Sequence, residues 1–291
     1  MEVIVLPEPA DVARRAAEVV LAGLPAHGSP EPVAPVAPDA SGASDPSGAP
    51  GPWRRDPVLG LATGSSPLGL YAELARAVDS GRLDLTRAHG FALDEYVGLP
   101  AGHPESYREV LLREVCRPLR LSPECLSVPD GSGATERELT ATAVDYERRI
   151  AAVGGVDVQI LGIGANGHLG FNEPGSSLAS RTRVKRLSDR TRHDNARFFG
   201  GDVDAVPTHC VTQGLGTVLD ARRLVLVASG AGKAAAVAAA VEGPLSASCP
   251  GSVIQWHAEA FVVLDEAAAT GLRNRDYYDA SAAGLSESPT P

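Results

Sequence analysis

Apolar residues fall along the chain in short continuous runs that alternate with stretches of helical period. "VIVL" (3–6) reads as a strand, and "ADVARRAAEVVLAGL" (10–24) repeats its apolar positions at helical spacing, with Asp11 near its start. After an interruption, "PVLGLATGSSPLGLYAELARAV" (57–78) gives an apolar strand, a "TGSS" turn and a helix opened by Pro67. Strand "GFALDEY" (90–96), helix "HPESYREVLLREVCRPL", short strand "CLSVPD", helix "TERELTATAVDYERRIAAV" and strand "VDVQILGIG" follow in turn. A polar, arginine-rich segment (181–200) and "VTQGLGTVLDA" precede strand "RRLVLVASG". Helix "GKAAAVAAAVEGPL", a short "SVIQWH" segment and strand "AFVVLDE" complete the pattern. Strands apolar throughout, alternating with helices of this length, predict an α/β fold with a mostly parallel sheet covered by helices on both faces.

The interruption, residues 25–57, is rich in Pro, Ala, Ser and Gly and carries no hydrophobic period. That composition predicts a disordered surface insertion, which a fold tolerates because loop-closure entropy grows slowly with length. The end of the chain, 281–291, is of low complexity and is expected to be a disordered tail. The remainder, 1–280, reads as a single domain without internal repeats.

Composition narrows the chemistry. Hydrophobic residues make up 44% of the chain but aromatics only 4%, so the core must be aliphatic. A net charge of -10 argues against a general nucleic-acid or anionic-membrane surface. An anionic ligand must therefore be held by a local cluster of donors. The four cysteines (116, 125, 210, 249) have neither metal nor redox spacing and read as isolated thiols. The N-terminal apolar run is too short for a signal peptide, and no run approaches the roughly 20 residues of a membrane span, so a cytoplasmic protein is expected. Only two of the 26 basic residues are lysine, Lys185 and Lys233, each a compact and flexible point charge in an otherwise arginine-based chain.

In open parallel sheets, ligands bind beyond the carboxyl ends of the strands. Four loops leave such ends: "ATGSSP", "LDEYVG", "GIGANGHLGFNEPG" and "ASGAGK". In the first, Gly64 permits a sharp turn, while Ser65 and Ser66 add hydroxyls to free N–H groups at a helix start, an anion cradle or equally a plain N-cap. It is no P-loop, because the spacing to a lysine is absent. Lys233 sits at a helix N-terminus, unfavourable for the dipole unless an anion lies there. Of the two carboxylates in "LDEYVG", one can cap or pair with an arginine, and one can act as a general base at a strand end. A lone histidine such as His168 is usually structural, yet the glycines around it remove the side chains that would bury it, and Glu173 lies near enough to orient it. No second His or Cys completes a metal set, and no nucleophile elbow exists.

These residues resemble the glucosamine-6-phosphate deaminase family. "LDEYVGLPAGHPESY", "GHLGFNEPGSSLASRTRVK", "DNARFFGGD", "VPTHCVTQGLGTVLDA" and "KAAAVAAAVEGP" match its segments in order, over residues 1 to 278 apart from the insertion. The resemblance implies a Rossmann-like fold with an active-site lid segment and a homo-oligomer, often a hexamer. It implies conversion of D-glucosamine 6-phosphate and water to D-fructose 6-phosphate and ammonia, in N-acetylglucosamine breakdown, with no organic cofactor and no metal. Asp94 then matches the base that moves a proton between C2 and C1, His168 the group that assists ring opening, and Glu173 its charge partner. Gly64, Ser65, Ser66, Gly162, Arg197 and Lys233 match the phosphate and substrate site. Ser176, Ser177, Arg183 and Lys185 resemble the site at which N-acetylglucosamine 6-phosphate activates some members. Asn166 departs from the pattern, since many members carry an acid there; a neutral neighbour is expected to tune the His168 relay. Two rivals are a 6-phosphogluconolactonase, which needs no enolising base, and a silent sugar-phosphate sensor, which would want an attached DNA-binding module.

Overall fold

The computed structural model describes residues 1–25 and 56–284. The expected insertion at 25–57 lies almost wholly outside the described residues. Residues 281–284 complete the last helix, and the rest of the expected tail also lies outside them.

The chain opens with β1 (Glu2–Leu6), α1 (Pro9–Gly23), β2 (Val58–Leu61), α2 (Leu68–Asp79), β3 (His89–Ala92) and β4 (Asp94–Tyr96). It continues through α3 (Tyr107–Leu111), α4 (Arg117–Leu119), β5 (Leu126–Ser127), α5 (Glu136–Ala152), β6 (Val158–Leu161), β7 (Arg183–Arg186) and α6 (Asp189–Asn195). The last elements are β8 (His209–Thr212), α7 (Leu215–Leu219), β9 (Arg223–Ala228), α8 (Ala234–Val241), β10 (Ala260–Asp265), α9 (Glu266–Ala269) and α10 (Arg275–Gly284).

Seven strands form a parallel sheet in the order β1-β10-β9-β6-β2-β3-β5. Its inner strands are apolar on both faces because helices cover both, which is why "VLGL", "VQIL" and "RLVLVA" show no alternation. Helix α1 turns Val12, Ala16, Ala17, Val19 and Val20 into this core, a face readable from its sequence period. Helix α5 starts at a reciprocal capping box between Thr135 and Glu138. Its Tyr146 is buried among aliphatic side chains and donates its hydroxyl to the Ala92 carbonyl at 2.6 Å. Among the described residues, no helix is long and apolar enough to cross a membrane.

A second, antiparallel sheet of order β4-β8-β7 was not expected from the sequence. "GFALDEY" reads as one strand, but the chain changes sheets within it. Leu93 donates to Leu61 O at 3.0 Å in the parallel sheet, and from Asp94 onward the pairing is to β8. All seven residues are buried and only Leu93 leaves the extended backbone, in a bend, so the sequence pattern carries no sign of the break. The arginine-rich segment 181–200 likewise resolves into β7, α6 and a 3-10 turn at Ala196–Phe198. "SVIQWH" lies mostly in a 3-10 helix, Pro250–Trp256. The expected helix at 103–119 begins at Tyr107 and runs without interruption to Leu119, through α3, a π-helical turn at Leu112–Cys116 and α4.

Strand β6 is the point where the order of connections reverses. The chain runs outward from β2 to β3 and β5, then returns to β6 and continues away on the other side through β9 and β10. The loops after β2 and β6 therefore diverge and leave a crevice above the carboxyl edge of the sheet.

Candidate active site

One cleft of about 480 Å³ opens at that crevice, lined by residues from all four loops singled out in the sequence. It is built from two kinds of wall. The first consists of turns that leave parallel strands. After β2, Gly64 takes a φ of +87°, the left-handed region that glycine enters freely, and the chain turns sharply before α2. Tyr71 of α2 anchors this turn by accepting from Ala62 N at 3.1 Å and donating to Ala62 O at 2.9 Å. Ser65 and Ser66 are thereby presented at the cleft floor, beside Gly162 at the end of β6.

After β9, Gly230 N donates to both carboxylate oxygens of Asp265, at 3.0 and 2.9 Å, which fixes the second turn. Lys233 ends a 3-10 turn just before α8 and donates to Ile163 O at 2.7 Å. Burial lowers its pKa from the ordinary lysine value, and the charge of Arg197 lowers it further. Two cations that repel one another across a cleft, beside two serines and a glycine turn, mark a place for an anion. Gly64, Ser65, Ser66, Gly162, Arg197 and Lys233 thus all line this one cleft.

The second wall comes from the small sheet and the segments packed on it. Asp94 and Glu95 are adjacent, and strand alternation sends them to opposite sides. Glu95 accepts from Tyr96 N, Tyr107 N and Arg108 N at 2.9 to 3.0 Å, so it holds the start of α3. Asp94 instead lines the cleft while being only 5% exposed. Burial pushes its pKa up to about 8, the nearby Glu95 charge adds to the rise, and the Phe171 amide opposes it. A carboxyl that titrates near neutrality can both take and return a proton at a bound substrate.

His168 lines the same cleft. Its ring lies flat on Gly164, where an added Cβ would come within 2.3 Å of Cε1 and Nε2, so only glycine leaves room for this placement. Its Nδ1 faces Glu173 Oε2 at 3.7 Å. Glu173 is buried, which works against its charge. The imidazole together with the Thr191 and Asn166 donors more than reverses this and brings its pKa down to about 2. Asn166 donates Nδ2 to Glu173 Oε2 at 2.7 Å and accepts His168 N at 3.2 Å. Its role is therefore a clamp: as a neutral donor it stabilises the Glu173 charge, which an ionised acid there could not do.

The four residues matched to an activator site lie apart from the cleft lining. Arg183 donates to Asn172 Oδ1 at 2.7 Å, Ser177 Oγ accepts from Ala179 N at 3.3 Å, and Lys185 sits on β7 opposite Cys210. Ser176 is buried, and its hydroxyl makes no hydrogen bond among the described residues. Several lining residues were not singled out from the sequence: Tyr96, Tyr107, Phe171, Thr191 and Asn195. The "SDRT" start of α6 carries a readable N-cap, Ser188, but nothing local places that cap beside Glu173. Among the described residues, no group of three or more His, Cys, Asp or Glu side chains could hold a metal ion.

The chain is similar to known proteins of one family. Residues 54–263 match the family model described as glucosamine-6-phosphate isomerases/6-phosphogluconolactonase. The glucosamine-6-phosphate deaminase of Streptomyces avermitilis is 56% identical over 78% of this chain and 86% of its own length. That of Bifidobacterium longum subsp. infantis is 56% identical over 77% of this chain and 84% of its own. Among solved structures, a monomeric glucosamine-6-phosphate deaminase described as a missing link of the NagB superfamily superposes with a TM-score of 0.79. It shares 32% identity and covers 93% of this chain and 100% of its own. The 6-phosphogluconolactonase of Trypanosoma brucei, at 18% identity and a TM-score of 0.68 over 93% of this chain and 98% of its own, shares the fold. A family match over most of the chain, laid on a cleft that gathers a buried acid, a histidine–carboxylate pair and an anion cradle, leads to one statement: the chain belongs to the glucosamine-6-phosphate isomerase/6-phosphogluconolactonase family.

Proposed function

We propose that this protein is a glucosamine-6-phosphate deaminase, converting D-glucosamine 6-phosphate and water to D-fructose 6-phosphate and ammonia. The observation that carries the reading is Asp94, a buried acid with a pKa of about 8, in one cleft with His168 and the cations Arg197 and Lys233. A lactone hydrolase has no need of a base beside a carbon acid. An aldose–ketose isomerisation does, because a proton must leave C2 and arrive at C1. The curated relatives at 56% identity carry the deaminase name.

Each residue then has a task. The phosphate sits on the Gly64–Ser66 turn with Arg197 and Lys233, which fixes the sugar's far end and orients C1 and C2 toward Asp94. His168 moves a proton between the ring oxygen and the C1 hydroxyl as the ring opens. Glu173, kept ionised by Asn166 and its other donors, stabilises the imidazolium that forms. Asp94 takes the C2 proton, giving an enediol-like intermediate with nitrogen on C2, and returns it to C1. The C2 centre becomes a ketimine; water adds to it, and the carbinolamine expels ammonia. No step demands a metal or an organic cofactor.

The proposal extends to a cytoplasmic role in amino-sugar breakdown, to homo-oligomer assembly, and to activation by N-acetylglucosamine 6-phosphate at Ser176, Ser177, Arg183 and Lys185. In support of the last, Arg183 reaches Asn172, the immediate neighbour of Glu173. The deciding measurement is ammonia release from glucosamine 6-phosphate by the purified protein, with Asp94→Asn as control. Release above the control supports the reading. Hydrolysis of 6-phosphogluconolactone without ammonia release would assign the lactonase activity instead. Adding N-acetylglucosamine 6-phosphate tests activation, and light scattering gives the assembly.

A further inference from the structure

The short helix α6 touches both ends of the cleft's chemistry. At its start, Glu173 Oε1 accepts from Ser188 N at 3.3 Å, from the Ser188 hydroxyl at 3.0 Å and from the Thr191 hydroxyl. At its end, Asn195 Nδ2 donates to the Tyr96 hydroxyl at 2.9 Å, and the turn that follows carries Arg197 into the cleft lining. Only seven residues lie in the helix itself. Thr191 is 2% exposed, so its hydroxyl has no water to exchange with and commits its hydrogen to the carboxylate.

Donors crowded on one carboxylate oxygen decide what the other can do. With Oε1 held by α6, the carboxylate cannot rotate without breaking those bonds. Oε2 is then left in one orientation, bonded to Asn166 Nδ2 and facing His168 Nδ1. Ser188 and Thr191 are neutral, so they set direction and stabilise charge on Glu173 without adding a cation that would compete with the imidazole.

We propose that Ser188 and Thr191 are positioning residues for the Glu173–His168 pair. On this view α6 couples substrate phosphate at Arg197 to the orientation of the carboxylate behind His168. A phosphate held by Arg197 pins one end of the helix whose other end aims Glu173. The kinetic readout rests on the deaminase reading; the spectroscopic one does not.

Thr191 is the cleaner probe. Ser188 Oγ also accepts from Thr191 N at 3.2 Å as the helix cap, and its single proton is shared with Thr191 Oγ1 at 3.0 Å, so its removal loosens α6 as well. Thr191→Val keeps the branched shape and the helix cap while removing the hydroxyl that donates to Glu173 and accepts from Ser188, whereas Thr191→Ser returns that hydroxyl. Ammonia release by the full chain and the imidazole ¹⁵N signals of His168 in ligand-free protein are measured for both. In Thr191→Val, kcat falls about tenfold, the worth of one charge-assisted hydrogen bond, KM for glucosamine 6-phosphate stays within about twofold, and the His168 Nδ1 signal moves. Thr191→Ser restores kcat and signal. In a cycle with Arg197→Lys, the two losses in kcat are non-additive. An unchanged kcat in Thr191→Val, or equal losses in both Thr191 variants, overturns the positioning role, and additive losses in the cycle overturn the coupling. If the parent protein releases no ammonia, the deaminase reading fails instead. The His168 signal then decides: a shift in Thr191→Val that Thr191→Ser reverses supports positioning, and no shift refutes it.

Discussion

The two walls of the cleft are made differently. The wall of turns after β2, β6 and β9 is local: each turn carries its own glycine, its own donor and its own anchor within a few residues or on the next strand. The wall formed by the small sheet and α6 is assembled from distant parts. Asp94 pairs with Thr212, Asn195 with Tyr96, and Glu173 with Thr191. The first wall holds Lys233 and N–H donors suited to a phosphate, joined by Arg197 from the turn after α6, and the second holds Asp94 and the donors to Glu173, to which the proposed reading gives the proton chemistry. In the proposed reading, binding rests mostly on segments that fold with the main sheet, with Arg197 reaching in from the other wall. Proton chemistry is placed where buried groups from several segments set each other's charge.

That division can be broken most directly at Asp94. Asp94→Asn should lower ammonia release by about a thousandfold, within the usual range for loss of a general base. The same variant should become the more stable protein as pH rises. Burial raises the Asp94 pKa, so its contribution to stability is present below about pH 4 and is lost as pH rises through about 8. The difference in melting temperature in favour of Asp94→Asn should therefore widen across that interval, and a constant difference would show that the acid is not held up by burial.

On the other wall, Lys233→Met should raise KM for the sugar phosphate by about 10- to 100-fold, the cost of one charged hydrogen bond, with a smaller change in kcat. A dominant fall in kcat would merge the two walls. Asn166→Asp sharpens the division within the second wall. It removes the donor to Glu173 Oε2 and sets a second carboxylate beside it, so the Glu173 pKa should rise from about 2 and the pH–rate profile should shift. An unchanged profile would remove Asn166 from the relay. The smallest effect is expected from Glu95→Gln. Loss of that charge should lower the Asp94 pKa and move the acid limb of kcat/KM to lower pH, leaving KM unaltered. A limb that stays in place would leave burial as the sole cause of the raised value.

Much of the first wall was legible in the sequence because its information is short-range. A glycine between a strand and a helix, two hydroxyls and a lysine at "SGAGK" state their own geometry, and strand-end location follows from the alternation of elements. The second wall was legible only in its residue types. By its own chemistry "LDEY" offered two carboxylates without saying which faces the ligand, and only the family resemblance pointed to Asp94. That assignment depends on the chain leaving the parallel sheet at Leu93 and on α3 arriving to be capped by Glu95. "NGHLGFNEP" offered a histidine, an asparagine and a glutamate, and the loop's own residues account for Asn166 as the donor to Glu173. The contribution of Ser188 and Thr191, 15 and 18 residues further on, has no local signature, since a serine and a threonine at a helix start need only cap that helix.

The sequence by itself determined the parallel α/β framework, the aliphatic core, the strand ends at which chemistry gathers and the residue types that gather there. These follow from periodicity and turn stereochemistry, which act over a few residues. Only the tertiary structure decided that "GFALDEY" serves two sheets, that Asp94 is buried enough to titrate near neutrality, and that Glu173 accepts from the start of a helix whose far end leads to Arg197. Charge state and orientation depend on what is packed against a group from across the fold, and desolvation and hydrogen-bond geometry are fixed only when that packing is complete.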